Sequence, residues 1–259
     1  MERFKNLNRV EFIITYDCTG GCKHCSEGNH PYTGVHIDAK TAKKAVCDLK
    51  EHFDIKTVMT FGGEPLLCAD TVCAIHKTAK EMQIPERQLI TNGYFSKDID
   101  KIRQTAEKLA ESGVNDILLS VDAIHQETIP LQYVKVFAEA VKKTGVLIRI
   151  QPAWLVNADD DNPYNNKTKE ILDEFSSMGI ATNEGNVIFP AGNALKYLSE
   201  YLSPMAENEN PYWEDPEDVR AICFSANGDI LGSNIYKKYI KAILSSYKPE
   251  RKFFVRKKK

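Results

Sequence analysis

A chain of 259 residues can bury roughly 70–75% of the surface its unfolded form exposes, so one large domain, or one domain with a small appendage, needs no staple to fold. A formal charge of −2, with 42% hydrophobic and 27% charged residues, argues against a surface that coats nucleic acid and makes nucleic acid an unlikely partner. Transmembrane length is approached by no apolar run, Met1-Glu2-Arg3-Phe4-Lys5-Asn6 has no signal-peptide apolar region, and seven cysteines with three clustered do not form a secreted disulfide framework. The expectation is a cytoplasmic protein without a membrane partner.

The first apolar run, residues 10–16, predicts a buried strand that ends at Cys18-Thr19-Gly20-Gly21-Cys22-Lys23-His24-Cys25. Three thiols at C-x3-C-x2-C spacing can converge on one centre and leave one corner of it open, which suits a catalytic site better than a closed structural one. Taken alone, the triplet leaves iron–sulfur and zinc both open, and a zinc site could draw its fourth ligand from His24 or His30. A helix is predicted over 38–53 with Asp38 as its N-cap. A second strand over 57–61 runs into Gly62-Gly63-Glu64-Pro65, and a helix over 70–82 follows. The third strand, 88–91, ends at Asn92-Gly93, and the helix after it, 97–112, stops at Gly113. The fourth strand is 117–122, followed by a helix over 131–144 that stops at Gly145; the fifth strand is 146–151. A polar loop with Asp159-Asp160-Asp161, read as a solvated turn rather than a cation site, leads to a helix over 167–178. The sixth strand is placed at 186–189, before Pro190-Ala191-Gly192.

Continuous apolar strands separated by helices are the mark of a parallel sheet covered by crossover helices. The repeat is about 30 residues per strand–helix unit, close to the ~31 of an eight-unit barrel of 250 residues. Only six units are visible, so the expected fold is α/β: a partial (β/α)6 TIM-type barrel, with a doubly wound sheet as the alternative. The barrel is assigned to 1–202 and a C-terminal extension to 203–259. That extension reads as an acidic, proline-bearing linker over 203–216, a hairpin through Ala226-Asn227-Gly228, a helix over 236–247 and a basic tail over 252–259. Cys47, Cys68 and Cys73 fall in or beside helices and read as inert thiols.

Ligands of parallel α/β folds bind at the carboxyl ends of the strands. The polar residues gather there: the cysteine loop, Gly62–Pro65, Asn92, Ser120 and Asp122, Arg149 and Gln151, and Asn186 with Pro190-Ala191-Gly192. Cys18-x3-Cys22-x2-Cys25 after strand one, with Gly62-Gly63-Glu64-Pro65 after strand two, resembles the radical S-adenosylmethionine (SAM) superfamily over residues 8–192. The resemblance implies that Cys18, Cys22 and Cys25 bind three irons of a 4Fe–4S cluster, the fourth iron being chelated by the methionine end of SAM. It also implies reductive cleavage of SAM to a 5′-deoxyadenosyl radical that abstracts a substrate hydrogen atom.

Carried over residue by residue, Gly62 and Gly63 let the backbone approach SAM, Glu64 takes a hydrogen bond from its amine, and Pro65 stiffens the turn. Asn92 closes the third strand beside them. Ser120 and Asp122 match the end that holds ribose and carboxylate. Arg149 and Gln151 sit where a carboxylate-binding side chain is common, and the backbone of 187–190 flanks adenine. His24 stands where an aromatic ring usually meets adenine, and imidazole can stack in its place. Each has a plainer competitor: a surface carboxylate for Glu64, a helix cap for Ser120 and Asp122, and an ion pair with Asp122 or Glu64 for Arg149. Cys223, lacking a C-x2-C run after it, resembles the remnant of a cluster-binding extension. It is expected over the barrel mouth, as a hydrogen-atom donor or as core packing. The implied partners are a reductant such as flavodoxin or ferredoxin and a peptide or small-molecule substrate. A glycyl-radical-enzyme activase and, from another class, a non-catalytic metal-binding or electron-carrier module are the rival functions.

Overall fold

The computed structural model describes residues 2–30, 32–202 and 215–248. Most of the expected linker and all of the basic tail lie outside the described residues. Seven strands form one sheet with every pairing parallel. They are β1 (Arg9–Ile13), β2 (Thr57–Phe61), β3 (Glu86–Thr91), β4 (Asp116–Ser120), β5 (Leu147–Gln151), β7 (Ala181–Thr182) and β9 (Ala221–Phe224). The pair β6 (Ala153–Trp154) and β8 (Asn186–Val187) and the pair β10 (Asp229–Ile230) and β11 (Ser233–Asn234) stand apart from it. No helix among the described residues is long and apolar enough to cross a membrane.

The strand order, β7-β5-β4-β3-β2-β1-β9, decides between the two parallel folds. From β1 to β7 each new strand is added on the same side, and right-handed crossovers then put every connecting helix on one face. A doubly wound sheet needs a reversal of order among its strand–helix units, and none occurs from β1 to β7. The sheet is therefore the wall of a partial TIM-type barrel. Its helix-covered face carries Val10, Phe12, Val58, Leu89, Ile117, Leu119, Ile150, Ile222 and Phe224, all buried. The covering helices are α1 (Ala39–Lys50), α2 (Ala69–Glu81), α3 (Ile99–Glu111), α5 (Leu131–Thr144) and α6 (Pro163–Ser177). Asp38 caps α1 through the Thr41 N–H, Asp98 caps α3, Asn162 caps α6, and Gly145 ends α5 in the left-handed conformation. The short helices are α4 (Ala123–Gln126), α7 (Asn193–Tyr197) and α8 (Ile240–Ser246).

Two expectations are displaced. The run 186–189 is not the sixth strand of the sheet: Ala181–Thr182 takes that place, and Asn186–Val187 pairs with Ala153–Trp154 just beyond β5. The chain turns back as expected at 225–229, where the Ser225 N–H donates to the Asp229 carbonyl and the Gly228 N–H to the Ser225 carbonyl, but the strand before the turn does not pair with 229–232. It pairs in parallel with β1, in the register Arg9↔Ala221 to Phe12↔Phe224, and Phe12 and Phe224 stack at 4.9 Å. The hairpin lies one step later, between β10 and β11.

Candidate active site

The carboxyl ends of the strands open on a cavity of about 610 Å³, within the ~300–1,000 Å³ usual for small-molecule sites. Cys18, Cys22 and Cys25 all line it together with Gly62 and Gly63, with Asn92, Ser120 and Gln151 along the strand ends. The backbone of 187–189 and Ala191 closes one side.

The loops that bring these residues together are zipped by backbone. The Gly63 N–H donates to the Thr15 carbonyl at 2.8 Å, and the Glu64 N–H to the Asp17 carbonyl at 2.8 Å. A Cβ at Gly62 would lie 2.4 Å from the Thr15 oxygen, at a φ of +146°, and one at Gly63 would lie 2.2 Å from the Asp17 oxygen. The Gly-Gly pair thus exists first to let the second loop lie against the first. The cysteine loop is pinned from three sides. Gly21 N–H donates to Thr128 Oγ1 (3.0 Å), Thr19 Oγ1 to the Tyr94 carbonyl (2.6 Å), and the Asn193 N–H to the Cys25 carbonyl (2.9 Å).

Not every expected residue reaches the cavity. Glu64 is fully buried and faces away from it. Its Oε1 accepts from the Leu66 N–H (2.9 Å) and Thr91 Oγ1 (2.7 Å), and its Oε2 from the Asn92 N–H (2.9 Å). Glu64 therefore ties the end of β2 to the end of β3, with buried Pro65 opening a 3₁₀ turn behind it. Burial pushes its carboxyl up to about 7, against the three donors that favour the anion.

Asp122 is likewise fully buried and is a helix cap. Its Oδ1 accepts from the N–H groups of Ile124 and His125, and its Oδ2 from Ala153 N–H (3.0 Å) and His125 Nδ1 (2.6 Å). With its acceptor positions occupied it has none left to offer a ribose or a carboxylate. Burial alone would raise this carboxyl, but the charge and ring contact of His125, helped by His24, hold it below the usual range. Arg149 points down the barrel, not to its mouth. It pairs with Asp116 at the opposite end of β4 (2.6 Å) and donates to Asn183 Oδ1 (3.2 Å). Its partner is thus neither Asp122 nor Glu64. Cys223 lies in register with Glu11 in the barrel wall, below the mouth, and is not among the cavity-lining residues. Burial pushes its thiol up to about 12.

Two histidines missed as site residues line the cavity beside His24. His125 packs edge-on to His24 at 4.5 Å between ring centroids, and an Asp-x2-His spacing after a strand was the signal available for it. The ionised Asp122 can only accept, so His125 Nδ1 carries the proton between them. His24 Nδ1 is buried without a partner, and burial with the neighbouring His125 lowers that ring to about 4. His30, earlier considered only as a zinc ligand, has its Nε2 2.9 Å from Cys25 Sγ and its Nδ1 2.7 Å from the Tyr16 carbonyl.

The thiols differ accordingly. Burial pushes Cys18 to about 11 and Cys22 further up. At Cys25 burial also raises the thiol, but the His30 hydrogen bond and charge, with the Glu27 and Gly28 N–H groups, bring it below the ordinary value. Among the described residues, the trio of donor atoms within 4.8 Å of one another is His24, Asp122 and His125. The sulfurs of Cys18, Cys22 and Cys25 do not all lie within 4.8 Å of one another, whereas tetrahedral Zn–S bonds of about 2.3 Å would bring them to ~3.8 Å. Wide spacing is what a multi-iron centre needs. The donor set, the unpartnered His24 nitrogen and the cavity between the thiols and Gly62-Gly63 all fit a cluster with a small ligand against it.

A family model described as the Radical SAM superfamily matches residues 12–148, which is more than half of the chain. The chain belongs to the radical SAM superfamily. Its cofactors are accordingly a 4Fe–4S cluster and SAM. It is 29% identical over 131 residues to a probable GTP 3′,8-cyclase of Methanocaldococcus jannaschii, covering 48% of this chain and 39% of that protein. A probable GTP 3′,8-cyclase of Saccharolobus islandicus is 25% identical over 227 residues, 80% of this chain and 68% of its own length. The chain spans about two fifths of the first relative's length. Among solved structures, Streptococcus suis SuiB bound to S-adenosylmethionine has a TM-score of 0.59 at 15% identity, over 92% of this chain and 66% of that one. Native anSMEcpe with bound AdoMet has a TM-score of 0.58 at 14% identity, over 92% and 80%. At these identities the likeness is one of fold.

Proposed function

We propose that this radical SAM protein is an enzyme that takes a hydrogen atom from a C–H bond of a small polar substrate, with Cys18, Cys22 and Cys25 as its three iron ligands. The observation that carries the reading is the single cavity onto which all three thiols and the Gly62-Gly63 backbone open. When bound, the cluster and SAM supply one-electron reduction and a 5′-deoxyadenosyl radical. The chain's own residues hold and shield these groups. In this reading Ser120, Asn92 and Gln151 offer hydrogen bonds from the strand ends, and His24 and the backbone of 187–189 supply the flat wall for adenine. Glu64 and Asp122 act as positioning residues, one tying β2 to β3 and the other fixing His125, and Arg149 is left out of the SAM site. The electron comes from a protein reductant of the flavodoxin or ferredoxin kind.

The two relatives above are named for a nucleotide, which lends no support to a peptide substrate. GTP itself is the second reading, favoured by identity across 80% of this chain. Against it, neither lysine nor arginine occurs among the described residues that line the cavity, and a triphosphate calls for cationic partners. A carrier module has no use for a small-molecule cavity beside its thiols.

The test is anaerobic reconstitution with iron and sulfide, reduction, and addition of SAM, followed by measurement of 5′-deoxyadenosine. Release by the parent protein, with loss of iron and of the absorbance near 400 nm in Cys22→Ala, is the expected result. A protein that binds iron through all three cysteines yet releases no 5′-deoxyadenosine overturns it. Consumption of GTP in the same mixture selects the second reading.

A further inference from the structure

We propose that Asn193 is a positioning residue that fastens one wall of the cavity to the cysteine loop, so that loading the cluster also steadies the wall against which the nucleoside end of SAM lies. This rests on the assignment of Cys22 and Cys25 as iron ligands and of the 187–189 backbone as that wall.

Asn193 grips the loop twice. Its backbone N–H donates to the Cys25 carbonyl at 2.9 Å, and its Nδ2 donates to the Cys22 carbonyl at 3.2 Å. A carbonyl can only accept, so the side-chain amide presents its nitrogen, not its oxygen, to Cys22. Each carbonyl has a second donor from the loop itself: the Cys25 N–H for Cys22 and the Gly28 N–H for Cys25, both at 3.2 Å. Asn193 is buried, so breaking either bond leaves polar groups that water does not readily satisfy. The fit is close beside it as well. A Cβ on Gly192, whose φ is +51°, would lie 2.3 Å from the Ser26 oxygen and 2.6 Å from the Cys25 oxygen. Glycine is required where the two chains touch.

The wall is a short span with this grip at one end. At the other end, β8 lies against β6, and the N–H groups of Asn186 and Ile188 donate to the Pro152 and Trp154 carbonyls, both at 2.9 Å. Val187 between them is exposed. The chain then turns through the Ala191 N–H bond to the Phe189 carbonyl (2.8 Å) and arrives at Asn193, with Phe189 and Ala191 lining the cavity on the way. Iron held by Cys22 and Cys25 restrains the loop, and a restraint at one end of a short span reduces motion along it. The coupling is reciprocal: a ligand that orders the wall favours loading of the loop.

The experiment is hydrogen–deuterium exchange of the reconstituted and the metal-free parent protein, read over 186–194 and over the cysteine loop. Exchange over 186–194 is expected to slow on loading by about fivefold or more, the lower end of usual coupling between sites. Equal exchange over 186–194 in the two forms overturns the proposal, and this comparison needs no variant. In Asn193→Ala, protection on loading is expected to persist in the cysteine loop and to vanish from 186–191. Protection of 186–191 that survives in the variant overturns the role of Asn193. Failure of the underlying reading shows elsewhere. Full iron content and the parent's cluster spectrum in Cys25→Ala remove the ligand assignment, and SAM that leaves exchange over 187–189 unchanged removes the nucleoside from this wall.

Discussion

At Gly63 one methyl group would meet the Asp17 carbonyl at 2.2 Å, and neither backbone can yield without unzipping the two loops. Gly63→Ala is expected to cost about 3 kcal/mol, at the upper end of overpacking, and to abolish SAM binding; thermal unfolding and equilibrium dialysis check both. Glu64 gives a pH signature. Its folded carboxyl titrates at about 7 against 4.5 for the free group. A raised value means that its contribution is fully present below pH 4.5 and is lost as pH rises through 7. That loss is on the order of 3 kcal/mol at most. Glu64→Gln is expected to be less stable throughout, because its NH₂ would face the Asn92 N–H, yet to show a flatter fall in stability between pH 5 and 8. Denaturant titrations at both pH values would reveal a slope equal to the parent's, and that would refute the assignment.

Among the elements, β5 separates two roles that alternation alone assigns together. Arg149 and Gln151 share the inner face, but one rung of the ladder divides the lower barrel from its mouth. Arg149 pairs with Asp116 and Asn183, whereas Gln151 reaches the cavity and accepts from Asn183 Nδ2 (2.8 Å). Arg149→Leu is therefore expected to leave the SAM dissociation constant within twofold of the parent's. It should destabilise the fold by about 1–3 kcal/mol, since it leaves the buried Asp116 carboxylate without its cation and with the Gln88 amide as its remaining side-chain donor. A tenfold loss of SAM affinity with stability intact would return Arg149 to the site.

For the whole molecule, the decisive feature is β9. It closes the β1 edge of the sheet and buries Ile222 and Phe224, and the segment after it adds Ile230, Ile240, Ile243 and Leu244 to the core. At roughly 1.5–3 kcal/mol for each buried side chain, removing the six forfeits an amount comparable with the ~5–15 kcal/mol by which domains are usually stable. A chain ending at residue 202 is expected to lose cooperative unfolding and bind a hydrophobic dye. A sharp thermal transition in that fragment would make 203–259 a dispensable unit.

The sequence by itself determined the repeating strand–helix order, the loop of three thiols and the Gly-Gly turn opposite it, because each is written in local spacing. It also carried Asn92, Ser120, Gln151 and His24 to the rim of one cavity, since the ends of parallel strands share one side of a sheet. Only the tertiary structure decided which polar groups were left free there. Asp122 and Glu64 are consumed by N–H and hydroxyl donors of neighbouring loops, and Arg149 by a carboxylate 33 positions away, partners that no local pattern displays. The same holds for β9, which pairs with a strand more than 200 residues earlier. The turn signal at Asn227-Gly228 could not announce that pairing, because parallel pairing is a long-range choice settled by burial of Phe12 against Phe224.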